Sequence, residues 1–272
     1  MLGGRRRRLR ALPVNSIVPN VLTVMALCAG MTAIRFALLE RFDLAVAAIL
    51  VAAILDGLDG RMARLLKGAT RFGAELDSLS DFIAFGVAPA MMIYLWSANE
   101  LGGLGWMAAL AHATCCALRL ARFNVALDDP DKPAWTNRYF TGLAAPAGAG
   151  CALLPLIIAL QFDGAHPWPA IVDAAWLFFI AFLMVSQIPT YSLKVLRVKR
   201  EHVLPVLVAA GFVTALLVSY PWFLLSLVVA GYMASIPLSI RSQRKLIRAT
   251  TAQDDAADND GGGAAPSEAQ RD

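Results

Sequence analysis

The chain has 272 residues, is 58% hydrophobic and has a mean hydropathy of +0.60, above the roughly 45–50% apolar content of soluble domains. That excludes an ordinary soluble domain and points to an all-α polytopic membrane protein. The formal charge of +4 is uneven: residues 249–272 hold six acids and only Arg271, which leaves 23 bases against 14 acids elsewhere.

In chain order, the basic start "MLGGRRRRLR" runs into a full-length apolar segment without the short apolar region and cleavage site of a signal peptide. Apolar runs near the roughly 20 residues that cross a bilayer then predict about eight transmembrane helices. They cover 17–39, 43–65, 77–97, 102–123, 141–161, 168–191, 204–220 and 221–240. With the N-terminus inside, 22 of the 24 bases fall on the inner face and only Arg35 and Arg41 near the outer one, the bias expected of cytoplasmic loops. Both termini are then cytoplasmic, and a bacterial inner (plasma) membrane is the expected location. The expected division is a basic segment 1–16, a six-helix core 17–200, a helix pair 201–248 with a basic end, and an acidic tail 249–272. That tail has too little apolar surface to offset ordering entropy and reads as disordered.

Cys28, Cys115, Cys116 and Cys151 lie in apolar spans without metal-ligand spacing, and read as small buried hydrophobes. His112 reads as a hydrogen-bonded packing residue, and His166 and His202 as loop residues. Trp106, Trp168, Trp176 and Trp222 suit membrane interfaces. The small-residue run 144–152 implies close helix packing, in the core or between copies.

The second and third spans carry the conspicuous chemistry, in "DGLDGRMARLLKGATRFGAELDSLSD". Asp56 and Asp59 share one helix face at i, i+3, and Asp77 and Asp81 share another at i, i+4. Ionisable groups in membrane spans are costly and usually functional. Four converging carboxylates repel unless cations neutralise them. An all-oxygen set favours Mg²⁺ or Mn²⁺, and paired metals recur in phosphoryl chemistry. Gly57, Gly60 and Gly73 each cost about 1 kcal/mol of helix stability relative to alanine, which implies close approach of a ligand or a neighbouring helix. The competing reading is a polar seam or ion path between helices.

The spacing D-x2-D-G-x2-A-R-x8-G-x3-D-x3-D, formed by Asp56, Asp59, Gly60, Ala63, Arg64, Gly73, Asp77 and Asp81, resembles the signature of the CDP-alcohol phosphotransferases at every fixed position. That resemblance implies transfer of a substituted phosphoryl group from a CDP-linked donor to an alcohol, with release of CMP. It implies a two-metal site on Asp56, Asp59, Asp77 and Asp81, with Asp81 also the base. It further implies CDP contacts by Gly60, Ala63 and Arg64, room for the nucleotide at Gly73, and a homodimer.

The residues between the fixed positions, with "VPNVLT", "LRLARFN", "FTGLAAPAGAG" and "QIPTYSLKVL", look most like the phosphatidylserine synthase branch of that family. One departure is Ala144, where that branch commonly has proline. The branch implies CDP-diacylglycerol and L-serine as substrates. Arg119 and Arg122 share a helix face and suit a carboxylate, and Lys194 is a further cation; each also reads as a positive-inside anchor. Asn124 is a polar contact or a helix C-cap. Asn20 and Thr23 either contact the nucleotide or bond between helices. Glycerol 3-phosphate, inositol phosphate and choline stay open as acceptors. A cation or solute transporter is the alternative from another class, although the aspartates cluster at one membrane face and no second broken-helix half accompanies them. Nothing in the sequence points to nucleic acid.

Overall fold

The computed structural model describes residues 14–127, 139–162, 167–186, 189–191 and 203–236. Helical segments stand at all eight expected positions. They begin with α1 (Val14–Leu38), α2 (Phe42–Leu65) and α3 (Arg71–Asp81). A π-helical turn, Phe82–Val87, carries α3 into α4 (Ala88–Trp96), and α5 (Gly103–Leu127) follows. The fifth segment divides into α6 (Ala145–Ala152) and α7 (Leu154–Ala159), then comes α8 (Ala170–Val185). The chain closes with α9 (Val203–Ser219) and α10 (Pro221–Ile236).

By length and composition, three of these helices are able to cross a membrane, or five if each bent pair counts as one span. The class is therefore an all-α integral membrane protein. The reasons for the shorter count are local, and in α2 the reason is charge, with Asp43, Asp56, Asp59, Arg61 and Arg64 along one helix. The α6–α7 segment bends by 48° because Pro155, in the first turn of α7, supplies no backbone donor there. Helix α8 has only 16 residues, about 24 Å at 1.5 Å per residue. Helices α9 and α10 meet at 118°, where Pro221 restarts the helix.

Burial follows the apolar pattern in inverted form. Helix α1 packs along α2, and α5 along α8. Alanines, Phe85, Met92, Leu156, Leu177 and Ile180 form the interior, while Val21, Met31, Phe179, Phe182 and Phe212 face outward, as hydrocarbon on the outside allows. The small-residue run belongs to this interior: Ala145, Gly148, Ala149, Cys151 and Ala152 are buried. A Cβ on Gly148 would lie 3.0 Å from the Met184 side chain. All four cysteines are free thiols, with Cys28 exposed rather than buried. His112 does pack, fully buried against the π turn, but its imidazole meets the backbone of Phe85 without a well-formed hydrogen bond. Two of the tryptophans are tied into the protein. Trp168 Nε1 donates to Asp173 Oδ1 at 2.6 Å and Trp176 Nε1 to the Cys151 carbonyl at 2.8 Å.

One non-helical element stands where the sequence predicts helix termini. Strands β1 (Tyr139–Thr141) and β2 (Pro189–Tyr191) pair antiparallel, with Phe140 opposite Thr190. The ladder joins two of the segments that carry the branch resemblance. Gly142 follows it at φ +81°, and a Cβ there would lie 2.7 Å from the Met184 carbonyl oxygen. Only glycine suits that position. Ala144 has φ −60° and ψ 145°, the backbone a proline would impose, so alanine preserves the loop shape.

Candidate active site

The hairpin that carries the aspartates is tighter than the sequence predicts. Helix α3 starts at Arg71 rather than at 77, because Thr70 caps it: its Oγ1 accepts from the Gly73 N–H at 3.0 Å, an arrangement that satisfies one of the free donors of the first turn. Helix α2 closes with two reversed bonds, Gly68 N–H to the Ala63 carbonyl at 3.0 Å and Lys67 N–H to the Arg64 carbonyl at 3.3 Å. That is a Schellman ending. Lys67 takes the left-handed conformation, φ +49°, where glycine is usual.

This turn brings the two helix faces together. One carboxylate oxygen from each of Asp56, Asp59 and Asp77 lies within 4.8 Å of the others. Asp59 is buried, while Asp56, Asp77 and Asp81 are half-buried. Asp81 completes the group through a hydrogen bond with Asp56, and it is attracted by Arg119 of α5. Thr23 of α1 donates to Asp59 Oδ2 at 2.6 Å, with the Pro19 carbonyl as the other acceptor at 3.0 Å. Ser80 Oγ donates to the Thr23 carbonyl at 3.1 Å and ties α3 to α1. Mutual repulsion among these carboxylates is only partly offset by Thr23 and Arg119. The cluster is thus set for a hard cation, and its all-oxygen donors fit Mg²⁺ or Mn²⁺.

A cleft of about 150 Å³ opens beside the cluster. Asn20 and Thr23 line it from α1, Asp59, Gly60 and Ala63 from α2, and Gly73 and Asp77 from α3. Seven of the residues singled out in the sequence therefore surround one space. Thr23 also bonds between helices, so both of its expected roles coexist. Gly60 faces open space, with no atom within 4 Å of a Cβ placed there, and so does Gly57. Neither glycine is needed for helix packing. Gly73 differs: its Cβ would lie 2.8 Å from Asn20 Oδ1 and 3.2 Å from Thr70 Oγ1. The space it leaves is taken by the side chain of Asn20. Arg64 is exposed and does not line the cleft.

The expected acceptor residues divide. Arg119 lies near enough to Asp81 for their charges to attract, with Nε buried and without a hydrogen-bond partner among the described residues. Arg122 donates from Nη1 to the Val185 carbonyl at 2.9 Å, at the C-terminus of α8. Asn124 is not a C-cap, because α5 continues to Leu127. Its Nδ2 donates to Ser78 Oγ at 2.9 Å, adjacent to Asp77. Lys194, like His166, His202, residues 1–13 and the acidic tail, lies outside the described residues. The sequence reading missed Ser78 and Ser80. Their signal was available, since both stand between Asp77 and Asp81, where a polar residue needs a partner.

Fold and site together define a helical integral membrane protein with a cluster of facing aspartates at the end of a helical hairpin. Residues 16–186 match CDP-alcohol phosphatidyltransferase, and residues 201–237 match CDP-alcohol phosphatidyltransferase 2. The chain belongs to the CDP-alcohol phosphatidyltransferase family of enzymes. It is similar to proteins named CDP-diacylglycerol–serine O-phosphatidyltransferase in several organisms. The Mycobacterium tuberculosis protein is 39% identical over 240 residues, covering 88% of this chain and 83% of the relative. The Mycobacterium leprae protein is 40% identical over 88% of this chain and 79% of the relative. The Helicobacter pylori protein is 32% identical over 65% of this chain and 73% of the relative.

Proposed function

We propose that this protein transfers the phosphatidyl group of CDP-diacylglycerol to the hydroxyl of L-serine, giving phosphatidylserine and CMP. The observation that carries the reading is the single cleft lined by Asp59, Gly60, Ala63, Gly73 and Asp77, motif residues of a family that acts on CDP-linked donors, with Asn20 and Thr23 facing them from α1. The names of the relatives support serine as the acceptor.

Asp56, Asp59, Asp77 and Asp81 would hold two divalent cations, Mg²⁺ or Mn²⁺. When bound, the cations supply positive charge at the diphosphate and at departing CMP. Open space at Gly60 admits the nucleotide close to the α2 backbone, with Ala63 beside it; Arg64, exposed outside the cleft, meets the nucleotide by swinging inward from the helix surface. Asn20 and Thr23 wall the opposite side. Asp81 accepts the serine hydroxyl proton as the oxygen bonds to the phosphorus that carries the diacylglycerol. The bond from that phosphorus to the bridging oxygen breaks, and CMP leaves with the electron pair. Arg119 receives the serine carboxylate, Asn124 holds α5 against Ser78 beside Asp77, and Arg122 and Lys194 are the further cations assigned to the serine.

The six-helix part, 17–200, carries this site, with 201–248 as an added helix pair. The base distribution supports a cytoplasmic site, cytoplasmic termini and an inner-membrane location. A homodimer follows from the family resemblance and is checked by mass in detergent. The deciding experiment incubates purified protein with CDP-diacylglycerol and serine, glycerol 3-phosphate, inositol phosphate or choline. Metal-dependent phosphatidylserine formation with CMP release in detergent is the expected result. Reaction with another alcohol and none with serine sinks the acceptor assignment, and no CMP release with any acceptor sinks the transferase reading in favour of transport.

A further inference from the structure

A second space, about 710 Å³, lies between α2, the α6–α7 segment and α10. Its volume falls in the roughly 300–1,000 Å³ range of ligand sites, yet its lining is almost entirely hydrocarbon. Val46 and Ile54 mark its extent on α2, Gly150 lies on α6, and Val228, Gly231 and Tyr232 come from α10. Its position relative to the carboxylates gives it a direction. Ile54 precedes Asp56 by half a helical turn, and from Ile54 to Val46 the groove follows α2 for about 12 Å. At its polar end, Tyr232 lies near enough to Arg119 for their charges to interact, and so does Asp81. The groove therefore starts within one helical turn of Asp56 along α2 and runs into the apolar slab, whose half-thickness is about 15 Å.

A donor with its diphosphate at the aspartates has to put hydrocarbon somewhere along that line. Helix α10 forms the outer wall, and its surface is shaped to leave room. Gly231 has no atom within 4 Å of a Cβ placed on it, and Val228 is 62% exposed. We propose that this groove receives one fatty acyl chain of the CDP-linked lipid, with α10 as the wall that sets how long a chain is accepted. The proposal rests on the donor assigned above, and it gives the C-terminal helix pair a role in donor selection.

The test uses CDP-diacylglycerol with a photoactivatable diazirine in one long acyl chain. The expected result is labelling of the α10 peptide that contains Val228 and Gly231. Gly231→Phe, and separately Val228→Phe, should reduce that labelling and long-chain turnover about tenfold or more, the effect of excluding roughly two buried methylenes. Turnover of a dihexanoyl donor, followed as CMP release with the acceptor that the panel identifies, should be unchanged in Val228→Phe, one turn further from the carboxylates, whereas Gly231→Phe, beside Tyr232 at the polar end, should lower it as well. Labelling requires binding alone, so it reports on the groove whichever alcohol is the acceptor. Label found only on other helices, or unchanged in both variants, overturns the proposal. Equal losses with short and long donors in Val228→Phe overturn it too, because the damage then reaches the carboxylates and not the groove.

Discussion

Two carboxylate environments stand at opposite ends of the third helical segment, and they are built to opposite rules. At one end, Asp56, Asp59, Asp77 and Asp81 face each other with few donors among them. At the other, about 24 Å further at 1.5 Å per residue, Asp173 is fully buried and both of its oxygens are used. Ser97 Oγ donates to Oδ2 at 2.7 Å and Trp168 Nε1 to Oδ1 at 2.6 Å. A buried carboxylate whose acceptors are all matched holds elements together, here the end of α4, the loop before α8 and α8 itself. Carboxylates that repel one another beside an open cleft reserve their lone pairs for something that arrives. Apolar surroundings do not separate these cases; helical spacing does, since the four aspartates pair at i, i+3 and i, i+4 while Asp173 has no acid at such a spacing.

The largest effect that sharpens the comparison is on turnover. Asp59→Asn, Asp77→Asn and Asp81→Asn should each lower CMP release by about 10²-fold or more, the low end of what a positioned acid or base contributes. Thermal midpoints in detergent should stay level or rise, because each change removes a like charge from the cluster. Excess EDTA should abolish turnover and added Mg²⁺ or Mn²⁺ restore it. An Asp81→Asn protein with full turnover removes the base assignment.

Asp173→Ala should behave in reverse. It strands two buried donors, at a cost of about 2–4 kcal/mol in stability, measured as a lower thermal midpoint. Protein that remains folded should release CMP at the unaltered rate. Lost turnover with an unchanged midpoint would show that the two ends do not differ as argued.

A smaller effect lies within the cleft. In Gly73→Ala the new methyl meets Asn20 Oδ1 at 2.8 Å, so Asn20 has to swing away, at about 1–3 kcal/mol for an overpacked contact. In the double variant with Asn20→Ala that clash disappears, and only the contact with Thr70 Oγ1 at 3.2 Å stays. Stability should return to within about 0.5 kcal/mol of Asn20→Ala alone, a coupling that a double-mutant cycle reads directly. Independent, additive effects would mean that Gly73 serves the nucleotide only and not the fit of α3 against α1.

Much of this was legible in the sequence. Eight apolar runs give eight helical segments, and the i, i+3 and i, i+4 spacings give two carboxylate faces, because helical periodicity is local. Convergence of those faces depended on a turn whose caps are also local, yet Thr70 sat inside what read as a loop, and the start of α3 moved by six residues. The break at Pro155 and the bend at Pro221 were visible as prolines, but whether such segments cross a bilayer depends on packing. Asp173 escaped notice because its two partners come from positions 97 and 168, and no spacing rule links them. Arg122 looked equivalent to Arg119 on the helix, and Asn124 read as a polar contact or a C-cap. Only the placement of α8 and α3 around α5 sends one to a carbonyl, one to a serine and one to the aspartates.

The smallest predicted effect concerns the turn that makes the carboxylates converge. Lys67 fills the position of a Schellman ending where a left-handed backbone is required, and a side chain there costs about 1 kcal/mol relative to glycine. Lys67→Gly should therefore raise stability by about that amount, read as a higher thermal midpoint. The gain is reduced by the extra freedom that glycine gives the unfolded chain. Turnover should change less than about twofold, because Lys67 does not line the cleft and its charge is exposed to screening. If turnover instead falls steeply while the midpoint rises, the charge at Lys67 serves the anionic donor, and the functional end of the comparison extends from the carboxylates into the turn that joins them.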